Sequence, residues 1–131
     1  MINALNLQWK TERKKDIFEK SFSFALHIIS LYKLLNTKRE FVISKQILKS
    51  GTNIGANVNE ASVGESRKDF AHKMSIASKE ARETLYWLNL LKESWLLDLD
   101  ASKKIDECTQ LVRMLTSIVK TTQNQSPKTQ N

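Results

Sequence analysis

Apolar residues along this chain recur at alternating spacings of four and three, the rhythm of one face of an α-helix, in four successive stretches. The first, residues 14–36, places Ile17, Ser21, Phe24, Ile28, Leu31 and Leu35 on one line, and a neighbouring row of Phe18, Phe22, Ala25, Ile29 and Tyr32 follows it. Two adjacent rows make an apolar face wider than one bundle seam needs. The second, 40–63, carries Ile43, Ile47, Gly51, Ile54, Val58 and Ala61. The third, 67–96, carries Phe70, Met74, Ala77, Ala81, Thr84, Leu88, Leu91 and Trp95, and the fourth, 100–122, carries Ile105, Cys108, Val112, Leu115 and Val119 with Leu111 and Ile118 beside them. Facing rows of this kind bury one another as packed helices. The pattern predicts an all-α fold, an antiparallel up-and-down four-helix bundle, as a single domain over 1–122.

Punctuation between the stretches agrees. Thr37 and Glu40 have the spacing of a capping box at the second helix. Gly64 closes that helix, and Ser66 followed by Asp69 opens the third with a hydroxyl cap and a carboxylate near the positive helix end. Asp98 and Asp100 precede the fourth. Asp69–Lys73 and Lys79–Glu83 stand four apart as exposed ion pairs on the third helix. Residues 123–131 have nothing to bury and are expected to be disordered. Gly51 and Gly55 stand inside the second helix, where each costs about 0.8–1 kcal/mol relative to Ala. Such a residue is retained where a neighbour comes close, inside the protomer or at a subunit contact. The second helix also carries a row of Asn53, Asn57 and Glu60, and Asn57 and Glu60 are expected to bond to the third helix and fix its register.

Composition narrows the function classes. Three glycines and one proline in 131 residues suit long helices. One cysteine, Cys108, excludes an internal disulfide and thiolate zinc sites, and on its core row it reads as a buried thiol. No basic start followed by an apolar run marks a secretory leader, and the longest uncharged stretch, Ser21–Tyr32, is far shorter than the roughly 20 apolar residues of a membrane span. A cytoplasmic protein with no membrane partner is expected. Di-iron bundle sites need repeated Glu-x-x-His pairs, whereas the nearest motif here, Asp69 to His72, stands alone. His27 shows no matching carboxylate. Glu80 and Glu83, three apart on one helix, read as ion-pair partners rather than an acid–base pair. No metal, cofactor or catalytic residue is expected, and the chain reads as a non-enzyme.

The net charge of +7 is uneven, with +6 in residues 1–50 and +1 in residues 51–131. Arg13, Lys14, Lys15 and Lys20 lie at the start of the first helix, and Lys38, Arg39, Lys45 and Lys49 at the start of the second. These form two clusters on one protomer, candidates for contact with nucleic-acid backbone. The alternatives are a protein–protein scaffold kept soluble by its charge and an enzyme with an inter-subunit site.

Three segments taken together carry a resemblance: Ser50-Gly-Thr-Asn-Ile-Gly-Ala-Asn-Val-Asn-Glu-Ala61, Ser66-Arg-Lys-Asp-Phe70, and Lys79-Glu-Ala-Arg-Glu-Thr-Leu-Tyr-Trp-Leu88. Over Glu19–Val119 the chain resembles the bacterial four helix bundle proteins, the 23S ribosomal-RNA intervening-sequence proteins. A related branch is the accessory variability protein of diversity-generating retroelements. The resemblance implies a homopentameric barrel of four-helix protomers without catalytic activity. For the retroelement branch it implies binding of RNA or DNA and a reverse transcriptase through basic surfaces. Its signature falls here on Gly51, Ile54, Gly55, Asn57, Glu60, Ala61, Ser66, Asp69, Phe70, Glu80 and Glu83. Lys49 stands where relatives often carry Arg, keeping the charge without the bidentate fork.

Overall fold

A computed structural model of the chain describes residues 4–63, 66–94 and 99–125, with side chains described for 16–63, 66–94 and 99–124. Four helices follow in order: α1 (Ala4–Thr37), α2 (Ile43–Ser62), α3 (Arg67–Glu93) and α4 (Ser102–Gln125). Each packs on the next, and α4 returns to α1 to close the ring through the thinnest seam. Contacts that climb one helix descend its neighbour. Gly51 and Gly55 of α2 meet Ile28 and Ser21 of α1, and Ser50 and Glu60 of α2 meet Thr84 and Lys73 of α3. The bundle is therefore antiparallel throughout. One pole gathers the end of α1, the start of α2, the end of α3 and the start of α4.

The core follows the predicted rows on the first three helices. Ile17, Phe24, Ile28 and Leu35 on α1, Ile47, Ile54 and Val58 on α2, and Met74, Ala77, Ala81 and Leu88 on α3 are all buried. On α4 the buried line is Cys108, Leu111, Leu115, Ile118 and Thr122, while Ile105, Val112 and Val119 are only partly buried. The predicted row there was rotated by about one residue. Both lines are apolar at helical spacing, so periodicity on α4 alone does not choose between them.

Helix limits differ from the expected ones at several places. α1 begins at Ala4 rather than 14, and α4 runs to Gln125, into the expected tail. Residues 126–131 lie outside the described residues, as do the predicted Gly64 stop, Trp95 and Asp98. The start of α2 is the instructive case. Thr37 belongs to the end of α1, where its hydroxyl donates to Leu34 O at 2.6 Å. Glu40 alone caps α2, its carboxylate accepting from the backbone N–H groups of Ser44 at 2.7 Å, Ile43 at 3.2 Å and Val42 at 3.3 Å. The expected capping box is therefore two separate devices. A carboxylate that satisfies orphan amides at the positive helix end supplies hydrogen bonds and charge complementarity together.

Ahead of Glu40 the chain leaves α1 through a Schellman motif. Glu40 N–H donates to Leu35 O at 2.9 Å and Arg39 N–H to Asn36 O at 3.0 Å, with Arg39 left-handed at φ 65°. Glycine is the residue best suited to that position. The third helix starts as predicted, with Ser66 Oγ accepting from Asp69 N–H at 3.1 Å. At the fourth, Asp100 accepts from Ser102 N–H at 2.9 Å, which holds the Asp100 carboxyl below its usual value.

Candidate nucleic-acid interface and the signature residues

The two glycines of α2 show why that helix carries them. A Cβ on Gly51 would stand 2.9 Å from Ile28 Cγ2, and one on Gly55 would stand 3.4 Å from the Ser21 carbonyl. Of the two places foreseen for a close approach, the structure shows the one inside the protomer: α2 lies against α1 there, and the helix continues unbroken through both positions. On the adjacent face of α2, Ser50 Oγ donates to Gln46 O and accepts from Thr84 Oγ1 at 2.8 Å, a buried polar bridge to α3. Further along, Glu60 Oε2 meets Lys73 Nζ at 2.7 Å. Lys73 was expected to pair with Asp69, and the fold gives it a partner on another helix instead. Glu60 thus links α2 to α3 as foreseen, but Asn57 does not. Its side-chain amide donates to Asn53 O at 2.8 Å within α2.

The signature positions are in large part structural. Ile54 and Ala61 are core, Phe70 packs partly buried against it, and Ser66 caps α3 onto the Asp69 amide. Glu80 lies beside Glu83, Lys79 and Lys49 and accepts a hydrogen bond from Asn53. Partial burial, then the Glu83 charge, raise the Glu80 carboxyl above its ordinary value despite these cations. Cys108 donates to Ala81 O at 3.3 Å, and burial, with a smaller push from Glu107, raises its thiol to about 12. A thiol held protonated is a packing group and a poor nucleophile.

His27 has the carboxylate partner that sequence reading missed. Its Nδ1 lies 2.7 Å from Glu107 Oε2 across the α1–α4 seam, and it is about half exposed. The partner is 80 residues away in sequence, and no local pattern announces it. Beside this pair Lys20, Ser23, Phe24, Glu107, Gln110 and Leu111 line a cleft of about 200 Å³. Among the described residues no group of three or more His, Cys, Asp or Glu is arranged to hold a metal ion. No described helix is long and apolar enough to cross a membrane.

The eight basic candidates separate into three places. Arg13, Lys14 and Lys15 lie on the first third of α1, where side chains are outside the described residues. Lys20 lines the α1–α4 cleft, several turns from the other described candidates. Lys38 and Arg39 are exposed in the α1–α2 turn, with Lys45 and Lys49 exposed on the first turns of α2. The last four share one pole, and Lys33 near the end of α1 joins them, also exposed. The antiparallel topology brings Lys92, Lys103 and Lys104 to that same pole from α3 and α4. Two of its acids, Glu40 and Asp100, are engaged with backbone amides of α2 and α4.

Apolar side chains are also left on the surface. Phe18, Phe22, Leu26 and Ile29 are exposed along one outer stripe of α1, and Tyr86 and Leu90 on the outer side of α3. Tyr86 stands edge-on to Trp87, whose indole Nε1 is buried with no acceptor among the described residues.

Fold and geometry define an all-α bundle with a basic pole. A family model for the 23S rRNA-intervening sequence protein matches residues 13–117, and the chain belongs to that family. It is also similar to a crystal structure of a protein of unknown function from the S23 ribosomal protein family of Bacteroides thetaiotaomicron. The identity is 44%, the TM-score 0.75, and the match covers 82% of this chain and 98% of that one. No curated protein matches.

Proposed function

We propose that this protein is a non-enzymatic, homo-oligomeric accessory factor of ribonucleoproteins, which holds nucleic acid by its backbone without strong sequence preference. The observation that carries the reading is the pole at the α1–α2 turn, where Lys33, Lys38, Arg39, Lys45 and Lys49 are all exposed while Glu40 is engaged in capping. Flexible ammonium and guanidinium groups on a convex end suit phosphates, which position a ligand and do not specify it.

Self-association rests on different residues. The exposed stripe of α1 and the exposed Tyr86 and Leu90 of α3 lie on different sides of the bundle, and unlike patches that meet head to tail form a ring when the rotation between copies closes. A pentamer is the expected state. A ring would repeat the basic pole around its axis and so turn weak single contacts into a multivalent grip.

Light scattering after gel filtration tests the assembly, and a monomer at micromolar concentration would defeat it. Fluorescence anisotropy tests the ligand, beginning with structured ribosomal RNA because the family's description names 23S rRNA. Similar affinity for unrelated RNA sequences is expected. Strict dependence on one sequence, or no binding at low salt, would contradict the reading.

A further inference from the structure

We propose that the α1–α2 turn is a docking point for an unpaired nucleotide, with Phe41 stacking on the base and Lys38 and Arg39 meeting its flanking phosphates. This inference rests on the nucleic-acid reading above and adds to it the kind of strand the pole selects.

Three observations converge on these five residues. Phe41 and Val42 are 48% and 73% exposed, although each is a large apolar residue beside a bundle that has a core to offer. Glu40 holds the chain there by accepting from three successive backbone amides, so Phe41 is carried on a fixed turn. Arg39 adopts the left-handed backbone that glycine prefers, and left-handed non-glycine residues are uncommon. Strain kept at an exposed position points to the side chain as the reason for keeping it.

The chemistry of the ligand follows from this set. A guanidinium and an ammonium next to an exposed aromatic ring match a phosphate next to a base face. Away from its ends a duplex hides its base faces inside the stack and offers only edges and backbone, so along a strand Phe41 needs an unpaired or bulged nucleotide. The ring has no hydrogen-bonding group, so it tells paired from unpaired without reading sequence. A second copy is disfavoured as occupant, because two such turns would bring like charges together.

The test compares a short oligouridylate with a long RNA duplex, whose end faces are a small fraction of its sites, by fluorescence anisotropy at low salt, using the full chain and its Phe41→Ala and Phe41→Trp variants. Circular dichroism melts establish that all three are folded, as expected for substitutions at an exposed site. Phe41→Ala is expected to weaken single-strand binding about five-fold or more, to leave duplex binding unchanged, and to be rescued by Phe41→Trp. Equal loss on both ligands, or no loss on the single strand, would overturn the stacking site and leave the backbone reading standing. A parent that binds neither ligand would remove both. A parallel sedimentation with anionic vesicles supplies the other contradiction: Phe41-dependent vesicle binding, with RNA binding indifferent to Phe41, would make the turn a membrane contact instead.

Discussion

The hairpin of α1 and α2 is built in opposite ways along its length. Its middle is closed by glycine: Gly51 and Gly55 bring the helices so near that a single added carbon would press on Ile28 or approach the Ser21 carbonyl. Its tip is open and strained, with Arg39 left-handed, Phe41 and Val42 exposed, and Lys38 free of the core. Among the signature residues, Gly51, Gly55, Glu60 and Glu80 act in the middle and along the α2–α3 seam, whereas the residues suited to meeting a ligand are at the tip. Resemblance to a family therefore identifies what holds this protein together better than what it touches.

The largest expected effect breaks the middle. Gly51→Leu should destabilise the fold by about 1–3 kcal/mol, because the new side chain must displace Ile28 in a packed core. A denaturant melt at matched protein concentration measures it, and a variant as stable as the parent would show that the helices can move apart without penalty.

Arg39→Gly sharpens the comparison at the tip, since structure and function should respond with opposite sign. Glycine relieves the left-handed backbone and gives up some unfolded-state restraint, for a net gain of about 0.5–1 kcal/mol in stability. RNA affinity should fall in the same variant. A variant that gains stability and keeps its affinity would make Arg39 an accident of the turn.

How much of this the sequence discloses depends on the range of the interaction concerned. The core rows of α1, α2 and α3 and the Ser66 cap are legible because helical periodicity and capping operate within a few residues. The α4 row was displaced by one position because two apolar lines run side by side on that helix. The Thr37–Glu40 spacing fits a capping box, yet only the left-handed turn at Arg39 decides that Thr37 ends one helix and Glu40 starts the next. The Glu60–Lys73 and His27–Glu107 pairs join different helices, and single-chain patterns do not carry them. Residue type alone marks the basic candidates in the sequence. The topology then separates Lys20 from Lys38, Arg39, Lys45 and Lys49.

The smallest expected effect concerns the α2–α3 seam. Burial and the Glu83 charge raise the Glu80 carboxyl, so the folded protein holds that proton more tightly than the unfolded chain does. The resulting contribution favours folding at low pH and is lost as pH rises through the folded-state value. At neutral pH the ionised Glu80 weighs slightly against folding. Glu80→Gln should therefore raise stability by roughly a few tenths of a kcal/mol there, a small figure because solvent screens the site. The difference should shrink as the buffer is made acidic enough to protonate Glu80 in the parent. A gap that widens on acidification would reverse the assignment.

The most direct test of the central claim, that the open pole grips phosphates, is the salt dependence of RNA affinity in the parent and in a Lys38→Glu/Arg39→Glu variant. For a single strand the logarithm of the parent's affinity should fall linearly with the logarithm of salt concentration, by about 0.7 per phosphate neutralised. The double variant should bind more weakly at low salt and show a shallower slope, having lost two such contacts. Equal slopes for the two proteins, or binding indifferent to salt in both, would contradict the account.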